Sequence, residues 1–366
     1  MRFVFFLVLI VHGFIHSIGF IKAFQLAEMN VLKTPISKSV GLLWFVTACL
    51  FIIGALLFIF NQMWWWMPSL IAVLLSQTVI ILSWQDAKFG TILNILILIF
   101  SIVGAGMWQF SMQANKDIQQ FLSEVHTKET RRISEASLDT LPIVVQKWLK
   151  QTGVVGQEEI KTVFFKQKGR MKLKPDQKDW YHADAEQFVR IAEPGFIWKV
   201  DMKMMPFVHV AGRDSFQDGR AKMMMKISSI IPVVDEAGNR KVDESSLQRY
   251  LLELPLYPSA ALQPYIVWEE IDETTAKATM SYKGTSGSVL FYFNEKAELS
   301  KVSAMRYKDS DEKAERIECI GEIKNSKIME GVKIPERIDI SWMLKEGKFT
   351  WYTLEIYDYQ SNDLTI

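Results

Sequence analysis

Four apolar stretches occupy the first 110 residues, and they limit this chain more than anything that follows. Residues 3–24 are apolar apart from His12, His16, Ser17 and Lys22, and residues 40–60, 64–84 and 90–108 carry no charge. Each is near the roughly 20 residues that cross about 30 Å of hydrocarbon. A buried helix of a water-soluble protein can be as apolar, but four in succession with such short connectors point to a transmembrane bundle. Trp44, Trp64, Trp65, Trp66, Trp84 and Trp108 sit at several ends of these stretches, where amphipathic rings settle at headgroup level. The first stretch has only Arg2 as a charged start and no small-residue cleavage pattern after its apolar run. It reads as a retained span.

Lys and Arg in the short loops set the expected orientation. Lys22, Lys33 and Lys38 follow the first stretch and Lys88 follows the third, whereas residues 61–63 have none. The positive-inside rule then puts the first and third connectors in the cytoplasm. Both termini, and everything after residue 110, fall on the extracytoplasmic side of a multi-pass cell-membrane protein. Lys128, Arg131 and Arg132 stand further out and argue the other way.

Polar residues inside or at the edge of a bilayer are costly and invite a functional reading. His12 and His16 are four apart and share a helix face. Gln77 and Asn94 lie inside the third and fourth stretches, with Asp86 and Lys88 in the connector between them. One reading makes His12, His16 and Asp86 the reactive group of a membrane redox or metal-dependent enzyme. The other makes these residues interhelical hydrogen-bonding groups, with Asp86 paired to Lys88 or His16. Two histidines without a third ligand fall short of a metal site, and no metal, cofactor or catalytic residue is expected.

The charge balance is nearly neutral at +1, which implies no nucleic-acid partner. The two cysteines, Cys49 and Cys319, lie in different regions and form no disulfide framework. No Cys/His cluster, phosphate-cradling glycine loop or Gly-x-Ser-x-Gly element is present, which weakens zinc-enzyme, NTPase and hydrolase readings.

Three regions follow: a bundle over 1–110, a helical linker over 111–137, and a β-rich domain over 138–366. In the linker Ile118, Phe121, Leu122 and Val125 recur at helical spacing, as a stalk or as a surface helix. Pro142 suits the first turn of a short amphipathic helix. From residue 161 the period becomes two. Strands are expected over 161–173, 180–191, 195–204, 207–216, 219–227, 265–271, 275–283, 288–293, 299–307, 315–324, 333–342 and 348–359. A helix over 245–262, broken by Pro255 and Pro258, interrupts them. So much antiparallel sheet curls or closes into a barrel or half-barrel. Its inner face would be rich in Phe, Trp and Met, and a curled sheet of that kind is a container for an apolar ligand. Equally, those residues are the buried face that any sheet needs.

Trp198, Met202 and Trp268 are expected to line the concave side. Arg213, Asp214, Arg249, Tyr250, Glu253, Trp268, Glu269 and Arg306 are candidates for a polar cluster at one rim, with Arg213 and Arg249 meeting an anionic headgroup. The same residues also read as ion pairs that tie helix to sheet. The run of Met202, Met204, Met205, Met223, Met224 and Met225 suits an adaptable apolar surface.

Across nearly its whole length the chain resembles a bacterial membrane-protein family without an assigned function. The resemblance is carried by His12-Gly13-Phe14-Ile15-His16, Asp86-Ala87-Lys88-Phe89-Gly90-Thr91, Pro194-Gly195-Phe196-Ile197-Trp198, Gly212-Arg213-Asp214 and Arg249-Tyr250-Leu251-Leu252-Glu253. It brings no catalytic roles. More distantly, Phe165-Lys166-Gln167-Lys168-Gly169, the strand meander and the interrupting helix resemble the lipoprotein-carrier and lipoprotein-receptor half-barrels of the bacterial envelope. That resemblance implies a lipid or lipoprotein ligand, and thus a membrane-anchored lipid-binding module rather than an enzyme. A protein-binding scaffold or sensor is the blander alternative.

Overall fold

The computed structural model describes residues 2–28, 31–124, 131–205, 208–362 and 364. Val125, Lys128 and Phe207, which figure in the expectations above, lie outside them. The chain forms two compact units, residues 1–113 with 228–230, and residues 114–227 with 231–366.

The first unit is helical. It contains α1 (Arg2–Ala23), α2 (Lys38–Ile59), α3 (Trp66–Leu82), the single turn α4 (Trp84–Ala87) and the start of α5 (Gly90–Ser123). Three of these, α1, α2 and α5, are long and apolar enough to cross a membrane. The third expected span is shorter: α3 has 17 residues and rises about 25 Å. It starts late because Trp64 and Trp65 belong to the preceding turn.

Small residues set the packing of this bundle. A Cβ on Gly13 would stand 3.2 Å from the Ala48 carbonyl oxygen, and one on Gly19 only 2.2 Å from the Trp44 ring. Both glycines therefore let α1 lie directly on α2. Phe14, Ile81 and Ile92, by contrast, are each more than 60% exposed.

The second unit is a single thirteen-stranded antiparallel sheet. Its strands are β1 (Thr162–Met171), β2 (Tyr181–Arg190), β3 (Gly195–Met205), β4 (Val208–Gln217), β5 (Arg220–Ile227), β6 (Ile231–Ala237), β7 (Ile266–Asp272), β8 (Thr275–Tyr282), β9 (Thr285–Phe293), β10 (Leu299–Tyr307), β11 (Arg316–Met329), β12 (Val332–Leu344) and β13 (Gly347–Ser361). They are ordered 6-5-4-3-2-1-13-12-11-10-9-8-7. Two meanders thus meet where β1 pairs with β13, and β6 and β7 are left as edges. The sheet curls without closing.

Three features depart from the sequence reading. Strand β6 was not expected, because Pro232, Asp235 and Glu236 disguise it. Proline and charge are what an edge strand tolerates. Strand β11 runs past its expected end at 324, through Asn325 and Ser326 with shifted register, to Met329, and the chain turns at Glu330 and Gly331, both in the left-handed region. The helix begins five residues earlier than expected: α7 spans Arg240–Leu252, with the Asn239 side chain accepting from the Lys241 amide at 3.0 Å. Pro255 and Pro258 each open a short 3-10 turn after it.

Helix α6 (Ile143–Thr152) buries Val145, Trp148 and Leu149. Part of the expected linker is the continuation of α5, whose last turns belong to this unit. There Ile118 and Phe121 pack on Phe164, Phe188 and Ile197, Asp117 pairs with Arg213, and Glu124 accepts from Arg190 and Gln217. Helix α7 packs against β9 and β10 of one meander and β4 and β5 of the other. Asp243 accepts from the Ala221 amide at 2.7 Å, and Gln248 donates to the Met305 carbonyl at 3.0 Å. The helix is tied to both limbs of the sheet, which wraps round it.

Candidate functional site

Strand alternation fills the concave side with apolar side chains. Trp198, Val200 and Met202 project inward from β3, Met223 and Met225 from β5, Val302 from β10, Ile338 and Trp342 from β12, and Leu354 from β13. Two glycines make room for the inward side chains beside them. A Cβ on Gly212 would stand 2.3 Å from the Met225 sulfur, and one on Gly321 3.0 Å from Val302. What remains is a cavity of about 860 Å³ between the sheet and α7. That volume lies within the range of small-molecule sites.

One wall carries a charged cluster. Arg249 of α7 donates to Asp214 at 3.0 Å, to Glu253 at 2.9 Å and to Gln187 at 3.2 Å. Gln187 in turn donates to Glu253 at 2.5 Å. The guanidinium lies 4.8 Å from the ring centres of both Phe196 and Trp198, a cation–π clamp. Burial works against this charge, but Glu253 and Asp214 outweigh it and hold Arg249 protonated. Burial pushes the Asp214 carboxyl up to about 6, against the pull of Arg249. One guanidinium serves two carboxylates there, and Asp214 Oδ1 has no hydrogen-bond partner. Beside the cluster, Gln167 Oε1 accepts from Trp198 at 3.1 Å and from Tyr352 at 2.9 Å.

Six of the ten expected ligand residues line the cavity: Trp198, Met202, Asp214, Arg249, Glu253 and Arg306. The other four do not. Arg213 neighbours Asp214 on β4, so the two point to opposite faces, and Arg213 pairs with Asp117 at 2.5 Å. It therefore does not join Arg249 at a headgroup. Tyr250 is fully buried among helix and strands, its hydroxyl 3.0 Å from that of Tyr265. Trp268 donates to the Ala261 carbonyl at 3.0 Å and packs on Phe291. Glu269 is exposed and pairs with Lys277.

Sequence reasoning missed Gln167 and Gln187, which hold the polar wall, and the inward residues of β10 to β13. Their signal was the inward half of an alternating strand. For glutamine that signal suggests solvent until the opposite face is known to be covered.

In the helical unit His12, Asn94, Ser76 and Gln77 form one buried network. His12 Nε2 and Ser76 Oγ each donate to Asn94 Oδ1 at 2.9 Å, and Asn94 donates to Gln77 at 3.0 Å. His16 Nδ1 donates to the His12 carbonyl at 2.8 Å. Asp86 stands apart: it accepts from the Lys33 and Thr34 amides, both at 2.8 Å, which lowers its pKa and fixes the first connector. It pairs with neither Lys88 nor His16. The Lys88 ammonium lies over the Phe89 ring instead. Among the described residues no group of three or more His, Cys, Asp or Glu is arranged to hold a metal ion.

The model of a family of unknown function, DUF6920, matches residues 139–360. No curated protein matches the chain.

Proposed function

The chain belongs to this family of unknown function, and on the geometry of the cavity we propose that it is a membrane-anchored module whose curled sheet binds the apolar chain of a lipid or a lipidated partner. The observation that carries this reading is the hollow of about 860 Å³, lined mainly by apolar side chains. A sheet needs one buried face, but it does not need an unfilled one. Interiors normally close to crystal-like density, so a hollow of this size suits a ligand.

The bundle serves as the anchor. Its candidate spans fit a membrane location, and the His12–Asn94–Gln77 network reads as the hydrogen bonding that fixes one helix against the next. The loop lysines favour a β-rich unit on the extracytoplasmic side.

The test is uptake of a neutral, environment-sensitive hydrocarbon probe by the full chain in detergent, against a Gly212→Leu variant. A leucine there takes the place of the Met225 and Val200 side chains and pushes them into the hollow. Saturable fluorescence enhancement that the variant loses, with its melting transition retained, supports binding in the cavity. Equal enhancement in both proteins assigns the probe to the detergent belt and removes the proposal.

A further inference from the structure

Arg306 brings a positive charge into the cavity, where it pulls on the Asp214 carboxylate from beyond ion-pair distance and finds almost no hydrogen-bond acceptor. Its Nη1 donates only to the Cys319 sulfur, at 3.8 Å, a weak acceptor. Its guanidinium carbon lies 5.5 Å from the Trp342 ring centre. Its Nε is buried without a hydrogen-bond partner, and among the described residues no carboxylate forms an ion pair with it. Arg249, across the same cavity, has three side-chain acceptors. Arginine stays charged at any ordinary pH, and a half-buried guanidinium with unmet donors is costly unless an anion completes it. Its fork also matches the paired oxygens of a carboxylate or phosphate.

The apolar surface continues from this cation. Arg306 and Val302 lie on the inward side of β10, and Cys319, Gly321 and Ile323 follow on β11, where the missing Cβ of Gly321 leaves the path clear. Asp214, Arg249 and Glu253 sum to one negative charge, so an anion is turned away from that wall and toward Arg306.

We propose that the ligand is an amphiphile with an anionic head, carboxylate or phosphate, whose oxygens are received by Arg306 while its chain lies along the hollow. The proposal rests on the apolar-chain reading above and adds the chemistry of the head. Arg306 is the specificity-determining residue, and Arg249, already satisfied, holds the wall.

The experiment measures displacement of the hydrocarbon probe from the full chain in detergent by hexadecanoate, hexadecyl phosphate, hexadecanol and inorganic phosphate. It is run on the natural chain and on Arg306→Met and Arg306→Lys. The expected result is that one or both anionic chains bind about tenfold or more tighter than hexadecanol. That preference disappears in Arg306→Met and largely survives in Arg306→Lys, while hexadecanol binding is unchanged. Hexadecanoate against hexadecyl phosphate separates a carboxylate head from a phosphate head, and displacement by inorganic phosphate alone would reduce the site to a free-anion site and overturn the amphiphile. If the anionic chains and hexadecanol bind equally in all three proteins, Arg306 merely balances the Asp214 wall, and the head assignment fails with the cavity reading intact. If no chain displaces the probe from any protein, the cavity reading fails as well.

Discussion

The helical unit and the sheet unit both bury an apolar core, but they differ in what they leave outside. In the bundle many buried positions are small or polar, among them Gly13, Thr47, Ala48, Ser69, Ser76, Asn94 and Ser101, beside a core of Phe5, Leu9, Phe51 and Ile97, while other large apolar side chains such as Phe14, Leu74 and Ile92 face outward. In the sheet unit Phe165, Phe196, Phe216 and Phe291 are fully buried, while Lys, Asp and Glu cover the outside. The outer surfaces differ because the surroundings differ. Hydrocarbon gives an outward Ile no reason to hide, and helices in it associate through close packing and hydrogen bonds. Water drives an Ile inward. The two units also handle buried polarity differently: the bundle uses neutral amides and hydroxyls around His12, the sheet a charged Asp214–Arg249–Glu253 cluster.

The largest effect should come from that charged cluster. Arg249→Met leaves Asp214 and Glu253 buried without their cation and is expected to cost about 3–5 kcal/mol, read by denaturant unfolding of the full chain in detergent followed by tryptophan fluorescence. A loss below about 1 kcal/mol would mean water already solvates the cluster.

Next comes a matched pair of substitutions at two similarly exposed apolar residues, Leu74 at the centre of α3 at 62% and Val267 of β7 at 67%. Leu74→Arg should cost about 2.5–3.5 kcal/mol of membrane insertion, measured as the inserted fraction in an alkaline extraction assay. Val267→Arg should stay within about 0.5 kcal/mol of the natural stability. Similar costs at both sites would break the contrast between the units.

Acidity sharpens it further. The Asp214 carboxyl, pushed up to about 6 in the fold, holds its proton where the unfolded chain has released it. Between about pH 4 and 6 the native state therefore binds more protons, and stability falls as pH rises, by up to the order of 3 kcal/mol. Relative to Asp214→Asn, the natural protein should lose melting temperature from pH 4 to pH 7. A constant gap between the two curves would show that Asp214 does not titrate in that window. The bundle should be least sensitive: Asn94→Leu removes the hub of the His12–Ser76–Gln77 network, yet interhelical hydrogen bonds average about 0.6 kcal/mol and rarely exceed about 2. Detergent-titrated unfolding of the variant would expose a larger loss.

The bundle was legible because length and charge-free composition are one-dimensional properties. Its one error of extent, α3, came from assigning the tryptophans of a turn to the span. Most strands were legible from period two, and the curl followed from their number. What stayed hidden depends on partners far away in sequence. Pro232 reads as a break until β6 is known to be an edge. Arg213 and Asp214 read as one pair until alternation sends one to Asp117 and the other to Arg249. Gln187 becomes a wall residue only because α7 covers it, 62 residues downstream at Arg249. Arg306 was named, but that no carboxylate among the described residues pairs with it directly is a property of the assembled cavity.

The most direct test of the cavity is photolabelling of the full chain in its membrane with a hydrocarbon chain bearing a terminal diazirine, mapped by peptide mass spectrometry. The account predicts two classes of adduct: diffuse labelling on the outward faces of α1, α2, α3 and α5, and discrete labelling at inward positions such as Met202, Met223 and Val302, competed away by unlabelled amphiphile. Adducts confined to the helices, with none on the inward strand residues, would contradict it.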